Sequence, residues 1–352
     1  MRSPLRTGIV GYGRIGRVRH QAMRENGSFL VTAIADPRPE ALAAAPAGSA
    51  VHQDYRELLG FDLDVVFVCT PNNISANVAV QALDAGKHVF CEKPPGRTPA
   101  ELDAIVTAQR RHPRLKLKFG FNHRYHDAVR EAVALVRGGS LGRLLWMRGL
   151  YGKSGGLGFE DDWRSRRDIA GGGILLDQGI HMVDLFRLFA GDFEEVKSFV
   201  TTAYWDIDVE DNAFALLRNG EGQVAMLHSS STQWKHLFSL EAFLSEGYVA
   251  VNGILSGTRS YGREQLVVAR RQFDGDGYVL GRPREEVTHF DADLSWRREL
   301  EEFARCVQED APIVHGTVRD AVEALRLVYR IYEQDGEWWA KHHADVGPDR
   351  IA

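Results

Sequence analysis

Lys93, Asp177 and His181 are the side chains of this sequence whose types and settings suit proton transfer. Lys93 stands in Glu92-Lys93-Pro94, directly after the apolar run His88–Cys91. A lysine at a strand end can donate a hydrogen bond to a substrate oxygen and stabilise developing alkoxide charge. A surface turn would also carry such a lysine. The X-Pro bond can be cis at modest cost, which would aim the lysine sharply. Asp177 and His181 follow Gly171-Gly172-Gly173 and are four residues apart, so on a helix they share one face. A histidine beside a carboxylate can accept a proton near neutral pH. Asp184 lies three residues further, on the same general face. The same spacing suits a zinc pair, but no third or fourth ligand announces itself, and we assign no metal. A buried helix start with satisfied polar residues is the other reading. Three glycines in a row permit close approach of a ligand or of backbone.

A second constellation concerns phosphate. Gly11-Tyr12-Gly13-Arg14-Ile15-Gly16 follows the apolar run Gly8-Ile9-Val10, and a helical pattern opens behind it. The first glycine allows the turn, the second lets backbone approach a pyrophosphate, and the third lets helix and strand pack closely. The helix N-terminus then offers N–H groups and a positive dipole end. Asp36 ends the next apolar run, Val31–Ala35. An acid there, roughly 20 residues past the turn, accepts hydrogen bonds from the ribose hydroxyls of NAD and repels the 2′-phosphate of NADP. Arg38 could instead pair with that phosphate. Asp36 sits at the strand end itself, so we expect NAD, with NADP as the alternative. Gly152-Lys153-Ser154-Gly155-Gly156 fails as a Walker A loop, because that motif needs a glycine five residues before Gly152, where Met147 stands. We read it as a flexible loop over the site.

These residues need elements to hold them. In the first third, apolar runs at Leu30–Ala35, Val65–Cys69, His88–Cys91 and Leu115–Phe121 alternate with helical patterns at Ile15–Glu25, Ala76–Ala85 and Ala100–Arg111. That alternation predicts βαβ units and a doubly covered parallel sheet. Ala41–Ala50 reads as a short helix and loop. Thr70-Pro71-Asn72-Asn73 and Glu92-Lys93-Pro94 follow strand ends, and ligands of open α/β sheets bind outside the carboxyl ends of strands. Those loops should line one crevice. After Phe121 the pattern changes. Helical stretches at His126–Val136 and Ile174–Ala190 flank a strand-like Leu144–Leu150. From Val196 to about Phe290 the runs read mainly as strands, several parted by turn signals such as Asn219-Gly220 and Glu246-Gly247. An antiparallel sheet follows. Trp296–Val307 and Val318–Tyr332 close the chain as helices. We expect two domains, 1–122 and 123–352, the second carrying the C-terminal helices.

Bulk properties narrow the function. A chain of 352 residues exceeds one typical domain. A net charge of −5 without a basic block argues against nucleic acid. No stretch approaches the apolar length that spans a bilayer. Met1-Arg2-Ser3-Pro4-Leu5-Arg6 runs directly into the first strand, so we expect no signal peptide and a cytoplasmic protein. Cys69, Cys91 and Cys306 show no metal spacing and read as structural thiols.

Taken in order, Gly11-x-Gly13-x-x-Gly16, Glu92-Lys93-Pro94, Asn122-x-Arg124-Tyr125, Trp163-Arg164 and Gly171-Gly172-Gly173-x-x-x-Asp177-x-x-x-His181 resemble the Gfo/Idh/MocA oxidoreductases over about residues 6–335. The resemblance implies an α/β fold: a Rossmann domain paired with an α/β domain on a large, mostly antiparallel open sheet. That sheet commonly joins subunits, so a homodimer or a tetramer built from dimers is expected. It implies hydride transfer between a nicotinamide cofactor and a secondary alcohol of a sugar, cyclitol or nucleotide sugar, with Lys93, Asp177 and His181 catalytic. It also implies that Thr70, Pro71, Asn72, Glu92, Asn122, Trp163 and Arg164 line the cofactor, beside the glycine turn, Asp36 and Arg38. Arg124, Tyr125, Lys153, Trp163, Trp234 and His236 are assigned to the substrate side with the catalytic three. Pro95 departs from the pattern, since many relatives carry a small apolar residue or leucine there; we expect a stiffer loop and unchanged chemistry. A glycosidase that oxidises its sugar transiently and a non-catalytic sugar sensor are the alternatives on this fold. Lysine, aspartate and histidine together argue against the sensor.

Overall fold

Val65-Val66-Phe67-Val68 is buried along its whole length, as a strand covered on both faces must be. In the computed structural model, which describes residues 3–342, it is one of six parallel strands. These are β1 (Leu5–Val10), β2 (Phe29–Ala35), β3 (Ala50–His52), β4 (Val65–Val68), β5 (His88–Cys91) and β6 (Leu117–Phe119), in the spatial order 3-2-1-4-5-6. Between them run α1 (Arg14–Asn26), α2 (Pro39–Leu42), α3 (Tyr55–Leu59), α4 (Asn72–Asp84) and α5 (Pro99–Arg111). The α1 helix stops at Gly27, whose φ of 73° caps it in the left-handed region. The α5 helix starts at Thr98, whose side chain accepts from the Glu101 N–H, with Pro99 in the first turn. The strand order reverses between β1 and β4, the switch point at which open sheets bind ligands. β3 falls at the end of a stretch that reads as helix and loop in sequence; three residues at a sheet edge are too few to show a period.

The rest of the chain carries α6 (Asp127–Arg137), β7 (Leu144–Ser154), α7 (Arg167–Ala170), α8 (Ile180–Ala190), β8 (Phe193–Thr201), β9 (Asn212–Asn219), β10 (Val224–Ser230), β11 (Thr232–Leu244), β12 (Gly247–Asn252), β13 (Glu264–Arg270), β14 (Glu285–Phe290), α9 (Ser295–Gln308), α10 (Val318–Gln334) and α11 (Gly336–His342). Strands β7 to β14 form one sheet in the order 14-13-12-11-7-10-9-8. Every neighbouring pair is antiparallel except β7 with β10. Helix α8 packs closely on β7 because Gly149 has no side chain: a Cβ there would lie 2.5 Å from the Met182 sulfur. The opposite face is open. Along β9, Ala213, Ala215 and Leu217 point inward while Phe214 and Leu216 are exposed, and Phe199 on β8 is 74% exposed.

The packing divides the chain into two units. Of the described residues, the first holds 3–122, 167–171 and 296–325; the second holds 123–166, 172–295 and 326–342. A single cut near residue 122 therefore misses a return of the chain. Phe303 on α9 explains the return. Its ring packs among Phe29, Phe67 and Phe90 of the first sheet, at 5.5–6.3 Å between centroids. Leu300 and Ala304 join the same cluster. The sequence shows an amphipathic helix there but not which sheet receives its apolar stripe. No helix among the described residues is long and apolar enough to cross a membrane.

Candidate active site

In the first unit, each glycine of the turn meets a different constraint. Gly11 has a φ of 89°, which favours glycine, and a Cβ there would stand 2.5 Å from the Cys69 carbonyl oxygen. A Cβ on Gly16 would stand 2.1 Å from the Gly11 carbonyl oxygen, so this glycine lets α1 press against the turn. A Cβ on Gly13 would meet only the Arg38 guanidinium, at 3.2 Å. Gly13 is thus the position whose bareness the fold does not need and a ligand does. Arg14 is exposed and Ile15 half-buried in the first turn of α1; among the described residues no side chain caps that helix and no acid sits in its first turn. An anion is favoured at such an end.

Asp36 is buried at the end of β2. Its carboxylate accepts the Tyr12 N–H at 2.9 Å and three bonds from Arg38: the backbone N–H at 3.0 Å, Nε at 2.9 Å and Nη2 at 3.0 Å. Burial alone would push its pKa up. The hydrogen bonds from Arg38 and Tyr12 outweigh that and hold it below the ordinary carboxylate range. The Tyr12 hydroxyl meets His20 Nδ1 at 2.8 Å. Thr70 follows β4, and its buried hydroxyl has no protein partner among the described residues. Asn72 donates to the Ala170 carbonyl at 2.8 Å, so its side chain is used in packing. A bare glycine cradle, an acid at the strand end and an orphaned hydroxyl fit a dinucleotide.

The loop after β5 is anchored from beneath. Glu92 Oε1 accepts from Arg19 Nε at 2.5 Å, and Arg19 Nη1 donates to Glu299 Oε2 at 2.6 Å. The Arg19 guanidinium is fully buried and lies 4.4 Å from the ring centroids of both Phe90 and Trp296. Burial raises the Glu299 carboxyl, against the pull of Arg19. Gly120 leaves room for the pair: a Cβ there would stand 2.8 Å from Glu92 Oε2. Lys93 is half-buried, Pro94 and Pro95 are buried, and the Lys93–Pro94 bond is cis. Arg19 is a residue that sequence reasoning missed. It sits in the buried stripe Gly16, Arg19, His20, Met23 of α1, and a charge in such a stripe was the available signal.

In the second unit, Leu175–Gly179 makes one wide π turn before α8, so Asp177 lies in the π turn and His181 in the first turn of the α-helix. The single helix expected over Ile174–Ala190 is interrupted there. Such bulges cluster at functional sites. Glu210, which the sequence did not single out, holds the turn: its carboxylate accepts the Gly173 N–H at 2.8 Å, the Leu175 N–H at 2.9 Å and the Tyr332 hydroxyl at 2.6 Å. A Cβ on Gly173 would lie 2.0 Å from the Glu210 carbonyl oxygen. The close approach that Gly173 permits is therefore to backbone.

Asp177 faces two cations, Lys153 Nζ at 3.3 Å and Arg164 Nε at 3.7 Å. Arg164 also lies 4.3 Å over the Trp163 ring. Lys153, Arg164 and Asp177 line a cleft walled by Phe159, Ile207 and Val209. The buried His181 ring stacks on His123 with centroids 3.8 Å apart and planes 17° apart. His123 Nε2 lies 3.1 Å from the Tyr151 hydroxyl, and burial, ahead of the nearby Tyr261 and Asp177, pushes that hydroxyl's pKa well up. Tyr151 therefore stays protonated at neutral pH.

Several expected substrate residues are engaged elsewhere. Arg124 makes a buried two-pronged pair with Asp184, at 2.7 and 2.5 Å, so its charge locks the Asn122–Tyr125 turn to α8. Tyr125 is buried, as is Asn122. His236 bridges Ser154 at 3.1 Å and Ser260 at 2.8 Å. Trp234 is exposed. Among the described residues, no group of three or more His, Cys, Asp or Glu side chains is placed to hold a metal ion.

Residues 5–120 match the model of an oxidoreductase family with an NAD-binding Rossmann fold, and residues 129–250 match the GFO/IDH/MocA C-terminal domain. The chain belongs to the Gfo/Idh/MocA oxidoreductases. It is 31% identical over 235 residues to levoglucosan dehydrogenase of Pseudarthrobacter phenanthrenivorans, a match spanning 62% of this chain and 60% of that one. It is 26% identical over 344 residues to myo-inositol 2-dehydrogenase of Thermotoga maritima, across 92% and 94% of the two chains. A solved levoglucosan dehydrogenase in complex with NADH and levoglucosan superposes with a TM-score of 0.83 at 24% identity, over 95% of this chain and 98% of that one. That last likeness establishes the fold.

The glycine geometry separates two effects. Gly13→Ala should keep the melting temperature within about 2 °C yet weaken NAD binding at least tenfold, about 1.4 kcal/mol. Gly16→Ala should lower the melting temperature itself, because its Cβ has no room. Thermal melts and calorimetric titration check both. Unchanged NAD affinity in Gly13→Ala would refute the cradle.

Proposed function

We propose that this chain is an NAD-dependent dehydrogenase that transfers a hydride between the nicotinamide and the secondary-alcohol carbon of a sugar, cyclitol or nucleotide sugar. One observation carries the reading: the glycine cradle, Asp36 and the Lys93 loop all lie at carboxyl ends of strands of one parallel sheet. The sugar and inositol dehydrogenases among its relatives support the substrate class. Nicotinamide, when bound, supplies the hydride acceptor. The protein supplies position and electrostatics.

In the oxidising direction a ring nitrogen of His181 takes the hydroxyl proton. Lys93 Nζ donates a hydrogen bond to the same oxygen and steadies its developing charge. Asp177 orients the group through its cations Lys153 and Arg164. His123 holds the His181 ring plane by stacking. Lys93→Ala and His181→Ala should each lower kcat at least about a hundredfold, the lower range for positioned acid–base groups. Cofactor affinity should be nearly kept. Near-normal nicotinamide reduction by both variants would sink the assignment.

Asp36 favours NAD. Arg38 already fills most of that carboxylate's hydrogen-bonding capacity, so ribose hydroxyls replace bonds from Arg38 when they bind there. The buried acid stays at the strand end and disfavours a 2′-phosphate. Direct titration should give a lower Kd for NAD than for NADP; the reverse order would mean that Arg38 governs selectivity.

The open face of the second sheet is the surface we assign to self-association, as a dimer or a tetramer built from dimers. Phe199, Phe214, Leu216 and Met226 lie exposed on three adjacent strands, a patch of the kind that marks interfaces. Light scattering at micromolar concentration should report two or four subunits; a monomer would contradict this. Cys69, Cys91 and Cys306 are all free thiols, which suits the reducing cytoplasm. Recovery in an oxidising compartment on cell fractionation would exclude that location.

A further inference from the structure

Three aromatic rings stand together beside the cleft of the second unit. The Tyr204 ring meets Trp234 edge-on at 5.0 Å and Trp205 at 5.0 Å, and Trp205 lies 6.3 Å from Trp234. Tyr204 is 64% and Trp234 61% exposed. Rings left outside by default would hang from a loose loop. These are held by a fully buried carboxylate. Asp211 Oδ1 accepts the Ala203 N–H at 2.8 Å, and Oδ2 accepts the Tyr204 and Trp205 N–H groups at 2.8 and 3.2 Å. Trp205 Nε1 donates to the Ser231 carbonyl at 3.1 Å. The Trp205 ring also covers Gly155, where a Cβ would stand 2.1 Å from it. Asp206 N–H donates to Glu160 at 3.0 Å. The display is built.

It is also continuous with the cleft. Phe159, a wall of that cleft, contacts Trp205 at 4.9 Å. The loop that carries Tyr204 and Trp205 continues into Ile207 and Val209 of the same wall. Tyr and Trp offer an apolar face with a polar tip that tolerates water, which matches the apolar C–H face and wet hydroxyl rim of a pyranose.

We propose that Tyr204, Trp205 and Trp234 form a second carbohydrate subsite, which stacks the neighbouring ring of a glycoside whose oxidised ring lies beside Asp177. This rests on the sugar-dehydrogenase reading for the first ring. The subsite makes the preferred substrates glycosides and oligosaccharides, with free monosaccharides poorer.

Calorimetric titration of the NAD-loaded protein with glucose, cellobiose and maltose tests it, alongside nicotinamide reduction with the same sugars. The wild type should bind at least one disaccharide about tenfold more tightly than glucose. Trp234→Ala should abolish that preference, while Trp234→Phe should keep most of it. Equal binding of one and two rings by the wild type would overturn the subsite, as would a preference that survives both Trp234→Ala and Tyr204→Ala. A fall in subunit number in Trp234→Ala, seen by light scattering, would also overturn it by assigning the cluster to a contact between copies. Disaccharide preference in binding with no cofactor reduction would uphold the subsite and defeat the dehydrogenase reading.

Discussion

Arg19 is a buried cation on which the cofactor-binding unit depends. It reaches from the helix behind the glycine turn to Glu92, the residue before Lys93, and to Glu299 on the returning helix α9. Taking a guanidinium out of water costs several kcal/mol, and only two carboxylates and two flanking rings offset it here. The consequence is conditional strength. Deleting Arg19 leaves a buried carboxylate without its counter-charge, an effect worth about 3–5 kcal/mol. Three parts of the chain, 280 residues apart at the extremes, are thereby held in one arrangement. The glycine turn and the Lys93 loop share a foundation, so neither can shift alone.

The second unit applies the same device with other residues. Glu210 clamps the glycine run and so fixes the wide turn that bears Asp177. Arg124 and Asp184 fasten the Asn122–Tyr125 turn to α8, the helix that bears His181. Asp211 sets the loop beside the cleft. Each is a buried charge whose hydrogen bonds are made to backbone or to a buried partner, as low-dielectric surroundings require. Of the groups assigned to chemistry, Lys93 and Asp177 remain partly open to solvent, as do Lys153 and Arg164 beside Asp177, whereas His181 is buried.

What sequence makes legible here is what local pattern encodes. The β1–α1–β2 unit could be read because its glycines, apolar runs and acid fall in one contiguous stretch with a single steric logic. The antiparallel sheet could be read from alternation, as in β9. Contacts between distant residues were not legible. The π turn depends on Glu210, more than 30 residues downstream, so Ile174–Ala190 looked like one helix. The partner of Arg124, Asp184, lies 60 residues away, so the pair that fastens this turn to α8 is not visible in any local pattern. The return of α9 follows from where Phe303 is buried, which amphipathicity alone does not specify. The grouping of Tyr204 and Trp205 with Trp234 joins residues about 30 apart in sequence and exists only in the fold.

The most direct measurement of the central claim follows the transferred hydrogen itself. A sugar or cyclitol substrate carrying deuterium on the oxidised carbinol carbon is turned over with NAD, and the reduced cofactor is weighed by mass spectrometry. Hydride transfer predicts one deuterium in each reduced cofactor, with one reduced cofactor per ketone formed. Reduced cofactor without deuterium, or product formed with no net cofactor reduction, would contradict it.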